Sequence, residues 1–359
     1  MKNKKCYLST AYTSSGFVSY NDYLMNPSER VYLLIGAPGT GKSTFLKKTG
    51  DELQDYGFHV DFIYSSEYKD KIDAVYINDL NILIINGSKP NSIEASYPGA
   101  IERMLDFGNY CDIDYLRNEK NSIVYLFDEI NREYKVFFEH MKNAKLIHDK
   151  WEKEYLIGMN FVKANEITNS IIDEYIIGKR DKKSREVHRF SGTLTSNGQI
   201  CFYENLTQDI ENRIVVKGRP GTGKSTMNRK ISKAAIEAGF DVEYYHCGFD
   251  AESIDMIIIP ELSFAILDGT SPHVIDPTGN DKLIDMYECI DKEIVNENEN
   301  PIKNIAEDYA EEIAKAKDTF YKIGKLNDEL ENYYREATDF NEIDALRNRI
   351  VLTIKEMKK

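Results

Sequence analysis

The sequence predicts an α/β fold: two duplicated P-loop NTPase cores, each a parallel sheet with flanking helices, each followed by an α-helical arm. Three observations carry this. The stretch Gly36-Ala37-Pro38-Gly39-Thr40-Gly41-Lys42-Ser43-Thr44 returns as Gly218-Arg219-Pro220-Gly221-Thr222-Gly223-Lys224-Ser225-Thr226. Each copy fits G-x-x-x-x-G-K-[ST] and follows a short apolar run, Val31 to Ile35 or Ile214 to Val216, the strand–loop–helix context the motif needs. The spacing of 182 residues holds without a gap from Ser9 and Ser191 to Pro90 and Pro272, so one supersecondary unit is written twice.

The shared unit reads in order. A β-rich lead comes first, Lys5 to Tyr20 or Val187 to Tyr203, each broken by a Ser-x-Gly turn. The apolar strand and the glycine loop follow. A helix is predicted from Ser43 to Tyr56 and from Ser225 to Ala238, with Gly57 and Gly239 placed for left-handed C-terminal caps. Next come strands at Val60 to Tyr64 and Val242 to Tyr245, short extended pieces at Ala74 to Ile77 and Met256 to Ile259, and last strands at Ile82 to Ile85 and Phe264 to Leu267. Strands separated by a helix on this spacing imply a parallel sheet with right-handed crossovers.

Beyond each core the apolar period changes to that of a helix. In the first copy Ile123, Phe127, Ile130, Tyr134, Phe137, Met141, Ala144, His148, Trp151 and Tyr155 form one stripe. In the second the stripe runs Ile302, Ile305, Tyr309, Ile313, Ala316, Phe320, Ile323, Leu326 and Leu330. The stripe outweighs the alternative of a strand at Ile123 to Phe127 ending in Asp128-Glu129. Ala144-Lys145-Leu146 resembles Gly324-Lys325-Leu326, which repeats the arms at a slightly altered offset. Further helices are expected at Val162 to Ile177 and Asn341 to Lys358, making a helical hairpin on each core. The charged run Lys179 to Lys183 reads as the linker. The expected units are a core at 1–100, an arm and linker at 101–183, a core at 184–290 and an arm at 291–359.

The loop has a direct chemical reading. Its glycines let successive N–H groups turn inward around phosphate oxygens, and the following helix adds its positive end. Lys42 and Lys224 would reach the β- and γ-phosphates, while Ser43 and Ser225 would offer a hydroxyl to Mg²⁺. A P-loop nucleotidase also needs an acidic residue at the end of a neighbouring strand. Asp268 fits in the second copy; the first has Asn86, which brings no charge. The second loop is therefore expected to carry the chemistry, with Lys224, Asp268 and His273 as catalytic candidates and Ser225 and Asp268 on the metal. Ser43 is the weaker counterpart. His273 lies on the loop leaving the last strand, the edge where parallel sheets bind ligands. No spacing supports a zinc site at His246, Cys247, His273 and Asp268.

Composition narrows the rest. The formal charge of −14 and pI near 5.1 oppose general nucleic-acid or anionic-membrane binding. The five scattered cysteines, with no C-x-x-C, suit reduced thiols in a cytoplasm. No apolar run reaches the length of a membrane span or a signal peptide.

Gly-x-Pro-Gly-Thr-Gly-Lys-Ser-Thr, with Gly-Phe-x-Val and Asp268-Gly269-Thr270-Ser271-Pro272-His273, resembles a group of tandem P-loop ATPase-like proteins of Gram-positive, often spore-forming bacteria. The resemblance covers nearly the whole chain and implies ATP binding and a cytoplasmic location. It also implies an Asp-Gly-Thr-x-Pro-His-like segment in both halves; here the first half departs, with Asn86-Gly87-Ser88-Lys89-Pro90-Asn91. The leading expectation is a Mg²⁺-dependent nucleoside triphosphatase, using ATP or GTP, that couples nucleotide state to movement of the arms. The arms are also candidate protein-partner surfaces, and oligomers are possible. The alternatives are a small-molecule or nucleotide kinase and a non-hydrolysing nucleotide-gated scaffold.

Overall fold

A computed structural model of the chain describes residues 4–270, 275–279, 281–291, 293 and 299–358. The first half contains β1 (Lys5–Leu8), β2 (Thr10–Thr13), β3 (Gly16–Ser19), α1 (Asp22–Met25), β4 (Arg30–Ile35), α2 (Lys42–Asp55), β5 (Val60–Tyr64), β6 (Ile72–Ile77), β7 (Ile82–Asn86), β8 (Glu102–Asp106), α3 (Ile113–Asn118), α4 (Lys120–Leu156) and α5 (Phe161–Tyr175). The second contains β9 (Glu186–Phe190), β10 (Gly192–Thr195), β11 (Gly198–Cys201), α6 (Tyr203–Thr207), β12 (Asn212–Lys217), α7 (Lys224–Glu237), β13 (Val242–His246), β14 (Ile254–Ile259), β15 (Phe264–Asp268), β16 (Lys282–Asp285), α8 (Glu299–Ala337) and α9 (Phe340–Glu356).

Twelve strands form one sheet in the order β16-β12-β15-β14-β13-β9-β1-β5-β6-β7-β4-β8. The order reads the same from either edge once each strand is matched with the one eight places later. The hairpins β2–β3 and β10–β11 stand apart from it, turning at Gly16 (φ 112°) and Gly198 (φ 127°). At the centre β1 and β9 meet antiparallel at Leu8 and Phe190.

The expected parallel sheet needs one correction in each half. The pieces at Ala74 to Ile77 and Met256 to Ile259 are full strands, β6 and β14, and they run antiparallel to both neighbours. The reason is connection length. A parallel neighbour needs a crossover of a dozen or more residues, and only the single turns Asn78–Leu80 and Pro260–Leu262 join these strands to the next. The other five strands of each half run parallel. The core boundary at residue 100 also moves outward, because β8 pairs with β4 as β16 pairs with β12.

The arms depart most from expectation. At 37 residues α4 is about 55 Å long at 1.5 Å per residue. That length carries the chain across the molecule, and among the described residues no hairpin forms on its own core. α8, of 39 residues, crosses the other way. The two long helices pack antiparallel, with His140 Nδ1 2.9 Å from Glu312 Oε2 and Lys322 Nζ 2.7 Å from Glu133 Oε1. Their seam is apolar: Ile123, Leu126, Ile130, Phe137, Met141, Ala316, Phe320, Ile323 and Leu330 form one buried cluster. Leu126 turns inward where the stripe had suggested Phe127, which is 36% exposed.

Each arm then completes the opposite core. Tyr155, Met159 and Ile171 join Met227, Ile231 and Phe240 of the second half. Ile343, Leu346, Ile350 and Ile354 of α9 join Phe45, Leu46 and Phe107 of the first. Main-chain bonds seal both joints: Asp112 N donates to Ala337 O (2.8 Å) and Asn160 N to Cys289 O (2.7 Å). The starts of α4 and α8, and of α5 and α9, are 179 residues apart. This puts Lys145 opposite Gly324, one residue from the match suggested by Ala144-Lys145-Leu146. Among the described residues no helix is long and apolar enough to cross a membrane.

Where the halves meet, Arg189 and Glu243 form a buried ion pair (3.0 Å), with Lys5 from the first half 2.8 Å from the same carboxylate. The Arg189 guanidinium also lies 4.2 Å from the centroid of the Tyr7 ring, across the β1–β9 join. Burial alone would raise the Glu243 carboxyl, but the Arg189 and Lys5 charges overcome it and hold the group well below the usual carboxylate range. Glu243→Gln leaves Arg189 without its counter-ion and is expected to cost about 3–5 kcal/mol in urea unfolding at neutral pH. The Glu243 contribution is full above the ordinary glutamate pKa of about 4.3 and is lost as pH falls through the lowered folded value. The gap between wild type and variant should therefore narrow in acid.

Candidate functional site: two glycine loops, each covered by the opposite arm

Each glycine loop leaves the carboxyl end of an inner strand, β4 or β12, held between two parallel neighbours. Gly39, Gly41, Gly221 and Gly223 all take positive φ, between 78° and 86°, which side-chain-bearing residues rarely adopt. Gly41 and Gly223 are the N-caps of α2 and α7, with no side-chain cap, so the helix N–H groups face into the loop. The buried Thr40 and Thr222 pin the loops from within, each hydroxyl donating to the carbonyl three residues back (2.8 Å). Pro38 and Pro220 are half-buried at the bend; Thr44 and Thr226 are exposed on the first helical turn.

The two lysines fold back onto their loops. Lys42 Nζ donates to Gly36 O (2.7 Å) and Ala37 O (2.8 Å), and Lys224 Nζ donates to Gly218 O (2.6 Å) and Arg219 O (3.1 Å). Burial pushes Lys42 down to about 8, against the opposing pull of Asp73 and Glu331. Ser43 and Ser225 each accept the N–H of the first residue of the antiparallel strand, Ile72 N (2.8 Å) and Ile254 N (3.1 Å). This aligns each hydroxyl between loop and strand.

Asp268 faces the second loop, with Oδ2 3.5 Å from Lys224 Nζ. Its other oxygen accepts Thr270 N (2.9 Å), and the Thr270 hydroxyl donates to Gly218 O (3.1 Å), tying strand end to loop start. The first half repeats this turn with an amide. Asn86 Oδ1 accepts Ser88 N (3.2 Å), and Ser88 Oγ donates to Gly36 O (2.9 Å). His273 lies outside the described residues.

The structure adds to each loop a carboxylate that does not lie at the carboxyl end of a strand. Asp73 and Asp255 occupy the second position of β6 and β14, beside β7 and β15. Asn86 Nδ2 donates to Asp73 Oδ1 (3.2 Å), so the amide turns towards an acid. Burial raises the Asp73 carboxyl while Asn86, Ser65 and the Lys42 charge oppose it. In the second half burial and then the Asp268 charge push Asp255 up to about 8, with Cys247 and Lys224 pulling down. The expectation that the first site lacks a carboxylate beside its lysine is thus corrected. The matched pairs Ile72-Asp73 and Ile254-Asp255 were the available signal; an antiparallel strand next to the loop was needed to interpret it.

The opposite arm lies over each loop. A side-chain carbon on Gly39 would fall 2.3 Å from the Glu331 carbonyl oxygen of α8, and one on Gly221 would fall 2.5 Å from that of Glu152 of α4. Gly41 lies under the Phe340 ring, whereas Gly223 has open space at the same point. Lys42 is correspondingly the more buried lysine. His148, Asp149 and Glu152 gather on the turn of α4 above the second loop.

His246 points its ring at neighbouring protein groups. Its Nε2 is 2.7 Å from His188 Nδ1 and its Nδ1 2.6 Å from Ala251 O, so both ring nitrogens are engaged. A cavity of about 430 Å³ opens beside this histidine pair, walled by Tyr20, Tyr23 and Tyr244; it contains none of the loop residues.

Comparison of the chain with protein-family models, curated proteins and solved structures returned no match. Gly39→Ala and Gly221→Ala should each lower stability by about 2 kcal/mol or more, since strain at positive φ adds to a collision with an arm carbonyl. Gly223→Ala meets no neighbour and should cost only about 1–2 kcal/mol from backbone strain. Thermal melts of the three variants test this ordering.

Proposed function

We propose that the two halves are copies of one P-loop module and that the chain is a Mg²⁺-dependent nucleoside triphosphatase using ATP. The observation that carries the reading is the approach of Lys224 to Asp268 at the mouth of a glycine loop capping a helix. Cationic lysine, helix N–H groups and strand-end carboxylate converge there as phosphoryl transfer requires. Loop N–H groups would cradle the phosphates. Lys224 would leave the Gly218 and Arg219 carbonyls for phosphate oxygen and stabilise charge on the transferring group.

The oxygen set of Ser225, Asp268 and Asp255 fits a hard divalent cation. Bound there, Mg²⁺ would neutralise charge developing on the β- and γ-phosphates. Ser43 and Asp73 are the corresponding groups at the first loop, where Asn86 leaves one negative charge fewer. Arm movement is the natural output, because each arm rests its main chain on a loop that must accommodate phosphate.

Lys224→Ala is expected to abolish ATP hydrolysis. Lys42→Ala should retain turnover and weaken nucleotide binding or its regulation. Phosphate-release assays on the two variants decide the matter: equal loss from both would remove the asymmetry between the sites, and no turnover in wild type would leave binding alone.

A further inference from the structure

A second lysine lies close enough to Lys42 to disfavour its charge. Lys71 stands at the end of the β5–β6 connection, with its ammonium 2.5 Å from Glu331 Oε1 and 3.7 Å from the centroid of the Tyr68 ring. Glu331 belongs to α8, from the other half, and its carbonyl rests on Gly39. The same connection grips α8 again: the Tyr68 hydroxyl donates to Gly324 O (3.0 Å) and lies 3.3 Å from Asp328 Oδ1. Lys42 feels both groups, since Glu331 favours its charged form and Lys71 opposes it.

Resting on the phosphate-binding reading above, we propose that Lys71 is a second phosphate-binding cation of the first loop and that Glu331 is a latch. Glu331 reaches across from the second half and occupies Lys71 until a nucleoside triphosphate displaces it.

The electrostatics give the direction. A triphosphate brings several negative charges to Lys42 and Lys71, against the single carboxylate of Glu331. Once Lys71 turns to phosphate, Glu331 keeps only the more distant Arg335 of its own helix (3.6 Å) and faces the like charge of the phosphate, with its carbonyl still against the loop. α8 then lifts from Gly39. Because α8 packs antiparallel along α4, whose Glu152 rests on Gly221, nucleotide at the first loop is felt at the second.

The second loop lacks this device. Ser253 stands where Lys71 does, and Asp250 stands where Tyr68 does. The cation is on the arm instead, with Lys145 Nζ 3.4 Å from Asp250 Oδ2. The polarity of the core–arm contact is reversed, so phosphate there has no core lysine to take from the arm.

Calorimetric titration with ATP and Mg²⁺ tests the latch, using full-length Lys224→Ala protein to isolate the first loop. Glu331→Gln should tighten binding about fivefold or more, and Lys71→Ala should weaken it about tenfold. With Lys71 already replaced, Glu331→Gln should change nothing. Glu331→Asp, which shortens the reach and keeps the charge, should give an intermediate gain and serves if the Gln variant does not fold. Unchanged or weaker binding in folded Glu331 variants would overturn the latch, as would a gain that persists without Lys71. If wild type binds ATP and these variants fail, only the latch falls; if wild type binds none, the phosphate-loop reading falls with it.

Discussion

The antiparallel packing of α4 against α8 is the constraint from which the rest of the structure follows. Neither helix has a complete apolar environment until the other is present. The Phe137 and Phe320 rings meet at a tilt near the middle of the pair, with centroids 4.6 Å apart, and the fully buried Ala316 lets the backbones approach. With large apolar side chains each contributing about 2 kcal/mol on burial, the seam is a substantial part of the fold. It sets the direction in which both arms leave and so determines which core each one completes.

A consequence is that neither half owns a finished site. The loop, its lysine and its carboxylates come from one half; the main chain lying across the loop comes from the other. Gly39 and Gly221 are therefore doubly restricted. The loops turn through a left-handed backbone at these positions, and the crossing arm removes the space a side chain would fill.

The backbone repeats more faithfully than the chemistry. At the base of the first site Glu67 accepts hydrogen bonds from Tyr134 (2.6 Å) and Asn327 (2.6 Å), and burial pushes its carboxyl up to about 7. The corresponding place in the second half holds Phe249, packed against His148 and Tyr309. One arm is seated through a polar cluster and the other through aromatic rings. The lysines follow the same division, Lys42 buried beneath its arm and Lys224 more open beside Asp268. Two loops of near-identical sequence thus stand in different dielectric and steric surroundings.

Much was legible from residues alone: the two glycine loops, the helix after each, the strands before them, the long helices and the placement of Asp268 beside Lys224. These are local matters, set by turn chemistry, by side-chain period and by the short span from one strand end to the next. The reversed strands β6 and β14 were harder, because an apolar run carries no direction and only its connections reveal it. Asp73 and Asp255 went unassigned for the same reason. The crossing of the arms was not legible at all. A helical stripe states that one face must be buried but not against which surface, and both halves offer nearly the same one. That choice was made in three dimensions, where a helix about 55 Å long is buried along its partner and carries the chain to the opposite core.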